Sequence, residues 1–106
     1  MAEEKLVIST AGSREEALYI ANALVEEKLA ACVNIVGPIE SVYRWQGKVQ
    51  SAQEFLMLIK TIASRSASTV SRIRELHSYE VPEAIEITID DGSQEYLKWI
   101  RESCSQ

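Results

Sequence analysis

From Leu29 to Lys60 the chain reads LAACVNIVGPIESVYRWQGKVQSAQEFLMLIK. Val33, Ile35, Val42, Tyr43, Trp45, Val49 and the run from Phe55 to Ile59 are the β-branched, aromatic and aliphatic residues that a pleated sheet favours. Trp45-Gln46-Gly47-Lys48 supplies a two-residue turn, because Gly47 takes a positive φ at no steric cost. The stretch is therefore predicted to be two long antiparallel strands. Their far end, around Tyr43 to Lys48, projects beyond the body of a small domain. Gly37-Pro38 falls inside the first arm. Proline has no N–H to donate, so the ladder there must be interrupted, bulged or at an edge.

The second arm bears on partners. Side chains alternate along a strand, so Phe55, Met57 and Ile59 share one face and Leu56 and Leu58 the other. An antiparallel sheet with helices on one side normally turns polar residues to its open side. This arm is apolar on both. Either the same chain covers the second face or another copy does, which makes Leu56 and Leu58 candidates for packing between copies.

A chain of 106 residues is long enough for one core, and residues 1–106 are expected to form a single domain. The formal charge of −5, with Lys and Arg scattered, argues against a nucleic-acid or anionic-membrane surface. There is no apolar stretch of transmembrane length and no basic-then-apolar leader. Met1-Ala2-Glu3-Glu4 runs directly into a strand, so the expected location is cytoplasmic. Cys32 and Cys104 make neither a disulfide framework nor a metal-ligand spacing and are expected to be reduced thiols.

In order, Lys5 to Thr10 is a short strand with Leu6 and Ile8 on one face and Val7 and Ser9 on the other. Ser13-Arg14-Glu15-Glu16 has capping-box spacing and opens a helix on Ala17, Ile20, Ala21, Leu24 and Val25, running to about Leu29. After the hairpin, a second helix from Ser64 carries Ala67, Val70, Ile73 and His77 on one face, and Pro82 ends it. Ala84 to Asp90 is a strand with Ile85, Ile87 and Ile89 inward. Ser93 caps a final helix with Tyr96, Trp99 and Ile100 on one stripe. The order β-α-β-β-α-β plus a terminal helix is the ferredoxin-like α+β pattern, whose first and third strands are central.

Candidate chemistry is sparse. His77, the only histidine, could bind a divalent metal through a ring nitrogen, with Glu80 or Glu83 as oxygen ligands. The plainer reading is a histidine that closes its helix. Cys32 is an alternative ligand or thiol, or simply a small buried hydrophobe. Tyr43, Trp45, Tyr79, Tyr96 and Trp99 could line a ligand cleft or could anchor packing, within one chain or between chains. Glu54 and Lys60 could pair with polar groups of a partner or stand in solvent. No glycine-rich phosphate loop, paired-histidine motif or Ser-His-Asp arrangement is present, and nothing nominates a nucleophile and base together.

Taken together, Leu29-Ala30-Ala31-Cys32-Val33-Asn34, Ser41-Val42-Tyr43-Arg44-Trp45-Gln46-Gly47-Lys48, Leu58-Ile59-Lys60-Thr61, His77-Ser78-Tyr79-Glu80-Val81-Pro82-Glu83 and Tyr96-Leu97-Lys98-Trp99-Ile100 resemble the CutA family of divalent-cation tolerance proteins, over about Leu6 to Ile100. The resemblance implies a ferredoxin-like fold and a tight homotrimer, similar in architecture to the nitrogen-regulatory PII signalling proteins. It also implies a link to Cu(II) and other divalent cations, with no organic cofactor. In some members a cysteine before the first-strand threonine and two adjacent histidines serve as ligands; here those positions are Ser9, Leu76 and His77. The leading expectation is a non-enzymatic trimer binding Cu(II) or another divalent cation weakly. A PII-like module sensing a small molecule in clefts between subunits is the second. An enzyme using Cys32 or His77 in such a cleft is the third.

Overall fold

The structure, a computed structural model, describes residues 3–105; the predicted lead-in at Met1 and Ala2 lies outside the described residues. The elements run β1 (Glu4–Ala11), α1 (Arg14–Glu26), β2 (Cys32–Trp45), β3 (Lys48–Ile62), α2 (Ala63–Leu76), β4 (Ile85–Thr88) and α3 (Gln94–Ser103). The four strands form one antiparallel sheet ordered β2-β3-β1-β4, so β1 and β3 are central, as the ferredoxin-like pattern requires. Among the described residues no helix is long and apolar enough to cross a membrane.

The predicted cap holds in part. Ser13 Oγ accepts the Glu16 N–H at 3.1 Å, but the Glu16 carboxylate accepts from Ser78 N–H at 2.7 Å rather than reaching back. Helix α1 stops at Glu26, short of Leu29, because Lys28 enters the left-handed region at φ 61°. Leu29 N–H then bonds Leu24 O at 2.9 Å and Lys28 N–H bonds Val25 O at 3.1 Å, the two bonds of a Schellman close. The helix buries Ala17, Ile20, Ala21 and Leu24; Val25, expected in the stripe, is exposed.

Helix α2 differs from expectation in its inner face. Ser66, Thr69 and Ile73 are buried and Ala67 is exposed. The thin apolar content reflects hydroxyls turned inward: Thr69 and Thr61 each donate to Leu29 O at 2.7 Å. The helix also ends at Leu76, well before Pro82, since His77 has already left helical geometry with ψ 142°. In α3 the buried stripe is Leu97, Ile100 and Cys104, packed near Ala31, Ile62 and Ile89. Cys104 is fully buried, and the expected stripe residues Tyr96 and Trp99 stand outside, ring centroids 5.4 Å apart.

The main core lies between the sheet and the pair α1 and α2, built from Val7, Ala11, Ala17, Ile20, Leu24, Ala30, Met57, Ile59 and Ile73. Leu56 and Leu58 point the other way. By register they share that second face with Leu6, Ile8, Val36, Ile85 and Ile87. Ile85 and Ile87, predicted inward, are 51% and 44% exposed, because their cross-strand partners are Ile8 and Leu6 rather than Val7. The described chain thus leaves an apolar sheet face open.

Candidate functional site

The long hairpin turns at Gln46 and Gly47, both at positive φ (52° and 79°), with Trp45 opposite Lys48. Such a turn matches the natural twist of its strands. Lower down, Val36 pairs with Leu56 and Ile39 with Glu54, so β2 holds one residue more than β3 at Gly37-Pro38. That bulge, expected from the proline, re-aims everything beyond it. Without it Tyr43 and Trp45 would lie on the helix side. With it, Ile39, Ser41, Tyr43 and Trp45 share the face of Glu54. Gly37 is required at the bulge because a Cβ there would meet the Phe55 ring at 2.5 Å.

His77 positions the opposite wall. Its side chain is wholly buried, with Nε2 2.6 Å from Thr10 O and Nδ1 accepting the Tyr79 N–H at 3.1 Å. A carbonyl only accepts, so Nε2 carries the proton and donates. Both ring nitrogens are thus engaged, and Nδ1 also lies 3.5 Å from Glu16 Oε2. It also packs against Tyr79, centroids 4.6 Å apart and ring planes tilted by 48°. Burial alone would raise the Glu16 carboxyl, but the Ser78 N–H, the Ser78 side chain, His77 and Gly12 together hold it below its ordinary 4.5. The segment after α2 is thereby tied to β1 and to α1, and it presents Tyr79, Glu80, Val81 and Glu83.

Between this segment and the hairpin lies an open cleft of about 630 Å³, lined by Thr10, Ser41, Val42, Tyr43, Trp45, Glu54, Tyr79, Glu80, Val81 and Glu83. Glu54, only 8% exposed, accepts the Tyr79 hydroxyl on Oε2 at 2.7 Å. Burial, then the Glu54 hydrogen bond and charge, push the Tyr79 phenol far above its ordinary 10. Burial, then the Glu54 charge, likewise raise the Glu83 carboxyl.

Of the residues read as cleft candidates, Tyr43, Trp45, Glu54 and Tyr79 come together. Within one chain Lys60, Tyr96 and Trp99 do not join them, and a cleft between copies is the arrangement that would bring them in. They stand with Cys32 and Asn34 at the other end of the sheet, where Lys60 Nζ bonds Asn34 Oδ1 and Cys32 pairs with Lys60. Six residues of β3 separate Glu54 from Lys60, about 20 Å of strand rise. Tyr96 at that end has its phenol raised by burial first and then by Cys32. Composition and spacing do not single out Thr10, Ser41, Val42 or Val81 as cleft residues, yet all four line it. The one signal for Thr10 is its parity with Leu6 and Ile8, whereas Ser41 depends on the bulge.

The metal candidates are dispersed. Both His77 nitrogens are engaged, Cys32 is at the far end, and Glu80 and Glu83 line the cleft. Ser9 is buried on the helix side and Leu76 packs against the main core. Among the described residues no three His, Cys, Asp or Glu side chains converge as a metal shell. The donors facing the cleft are carboxylate and phenol oxygens, which suit an ion that keeps much of its water rather than a closed tetrahedral site.

Comparison with known proteins agrees with this architecture. The family model described as CutA1 divalent ion tolerance protein matches residues 5–103. A divalent-cation tolerance protein CutA from Thermus thermophilus is 49% identical across 94% of this chain and 97% of its own length. A chloroplastic CutA from Arabidopsis thaliana is 48% identical across 92% of this chain, which spans 54% of that longer protein. The crystal structure of CutA from Xylella fastidiosa superposes with a TM-score of 0.96 at 39% identity, covering 98% of this chain and all of that one. The chain therefore belongs to the CutA1 divalent ion tolerance family.

Proposed function

We propose that this protein serves divalent-cation tolerance as a non-enzymatic homotrimer that binds Cu(II) or another divalent cation weakly. The observation that carries the reading is the acid wall of the cleft. Glu54, Glu80 and Glu83 line it, and no Lys, Arg or His ion pair involves any of them among the described residues. Carboxylates without a counter-ion attract cations, and an unconverged donor set keeps the affinity low. Self-association is supported by the open face of Leu56, Leu58, Ile85 and Ile87; the number three follows the family resemblance. Full burial of each such side chain contributes roughly 1.5–3 kcal/mol. A cytoplasmic location is part of the same proposal and is checked by fractionation.

Calorimetric titration of Cu(II) at neutral and mildly acidic pH tests the metal reading. Saturable, modest binding that weakens on acidification and in Glu83→Gln is expected. His77→Ala discriminates the ligand: retained binding puts the ion on the carboxylates, and lost binding with assembly intact puts it on the imidazole. Absence of saturation in the wild type would refute the metal reading. The second reading, a PII-like module sensing a small molecule, is favoured by the size of the cleft and its three aromatic rings. A thermal shift from a small molecule without metal would support it.

A further inference from the structure

We infer that the cleft between the hairpin and the 77–83 segment binds an organic ammonium ion. This rests on the second reading, that the cleft is a small-molecule site, and it places the ammonium on the same carboxylates that would hold a divalent ion. Tyr43, Trp45 and Tyr79 each leave about two fifths of their surface uncovered along its walls, at 41%, 41% and 37%. Aromatic faces attract large, weakly hydrated cations through the ring quadrupole, most strongly where water is excluded. Glu54 supplies the countercharge. It is more than nine-tenths buried, and no Lys, Arg or His ion pair involves it among the described residues.

Glu54 lines the cleft and has one carboxylate oxygen to spare. Tyr79 occupies Oε2, and Oε1 has no hydrogen-bond partner among the described residues. Ser9 Oγ is the only sealed, unpartnered side-chain oxygen or nitrogen among those residues, so Oε1 is not sealed. A buried carboxylate with no cation beside it is costly, and a cationic ligand relieves that cost.

The alternatives fit less well. An anion meets three carboxylates, of which the Glu83 carboxyl is already raised by burial and by its neighbour Glu54. A neutral apolar ligand displaces water and leaves Glu54 unpaired. A bare divalent ion gains little from aromatic rings and finds no converged shell, so the cleft holds it only weakly and leaves room for a larger cation. A volume near 630 Å³ is that of an organic ligand site.

The test compares choline with its neutral isostere 3,3-dimethylbutan-1-ol on the full chain in its native assembly. A Trp99→Phe background leaves Trp45 as the sole tryptophan reporter, with calorimetry alongside. Choline is expected to saturate, with the isostere weaker by about tenfold or more. Glu54→Gln and the more exposed Glu83→Gln should each weaken choline and leave the isostere unchanged; the second variant guards against loss of folding in the first. Equal affinity for both compounds would overturn the cation while keeping the cleft a ligand site. Saturation by neither would overturn both readings of the cleft. Choline binding unaltered in both variants, with folding intact, would also overturn the proposal.

Discussion

Thr61 and Thr69, both fully buried, donate to the same acceptor, Leu29 O, each at 2.7 Å, which for Thr69 is the nearer of two carbonyls, Arg65 O lying at 3.0 Å. That carbonyl lies where α1 has just closed and β2 is about to begin. Two hydroxyls from β3 and α2 therefore fasten four elements at one atom. Valine is nearly isosteric with threonine, so Thr61→Val or Thr69→Val removes one donor while the other still satisfies the carbonyl. Each single change should cost about 1 kcal/mol, the net worth of an ordinary hydrogen bond. The double variant leaves the acceptor without a donor, which adds a desolvation cost of about 1–3 kcal/mol. The double should thus exceed the sum of the singles by roughly 1 kcal/mol or more. Urea unfolding of the four proteins, at one protomer concentration because assembly is linked to stability, measures this directly. Additivity within about 0.5 kcal/mol would refute the reasoning, since it would mean another donor or water replaces the lost partner.

Gly47→Val should destabilise the hairpin by about 1–2 kcal/mol through backbone strain alone, because φ there is 79° and a Cβ would meet nothing within 4 Å; unchanged melting would contradict the turn. Ser9→Ala should raise stability by about 1 kcal/mol by removing an unpartnered buried hydroxyl, and a lower melting temperature would show that Oγ has a partner. The folded Glu16 carboxyl titrates below 4.5, so its contribution is present above that pH and is lost as pH falls through the lowered value. Glu16→Gln should therefore flatten the acid limb of the melting profile below pH 4.5; an unchanged limb would dismiss Glu16 as its source.

The fold was legible where one period dominated. The hairpin, its turn, the interruption at Gly37-Pro38 and the central strands all follow from alternation and from two residues with special backbones. The helices were harder. Their faces were assigned by counting apolar residues, and α2 buries Ser66 and Thr69 because their hydroxyls find carbonyls, which hydropathy does not register. In α3 the aromatic stripe drew the reading away from Leu97 and Cys104. Ile85 and Ile87 were read as inward because a strand pattern gives which residues share a face, not which face the helices cover. The site was half legible. Tyr43, Trp45, Glu54 and Tyr79 were named, but their meeting depends on the one-residue bulge and on a segment fastened by His77. Lys60, Tyr96 and Trp99 belong to the same sheet and are separated by strand length, so they can join that cleft only from another copy.

The open sheet face supports self-association, and the proposed number of copies, three, follows the family resemblance. Light scattering of the purified protein at micromolar concentration measures it most directly, together with Leu56→Lys, which sets an unpaired ammonium in the apolar contact. A homotrimer gives three times the 11.9 kDa chain mass for the wild type, and the variant should dissociate. A wild-type mass equal to one chain would contradict it.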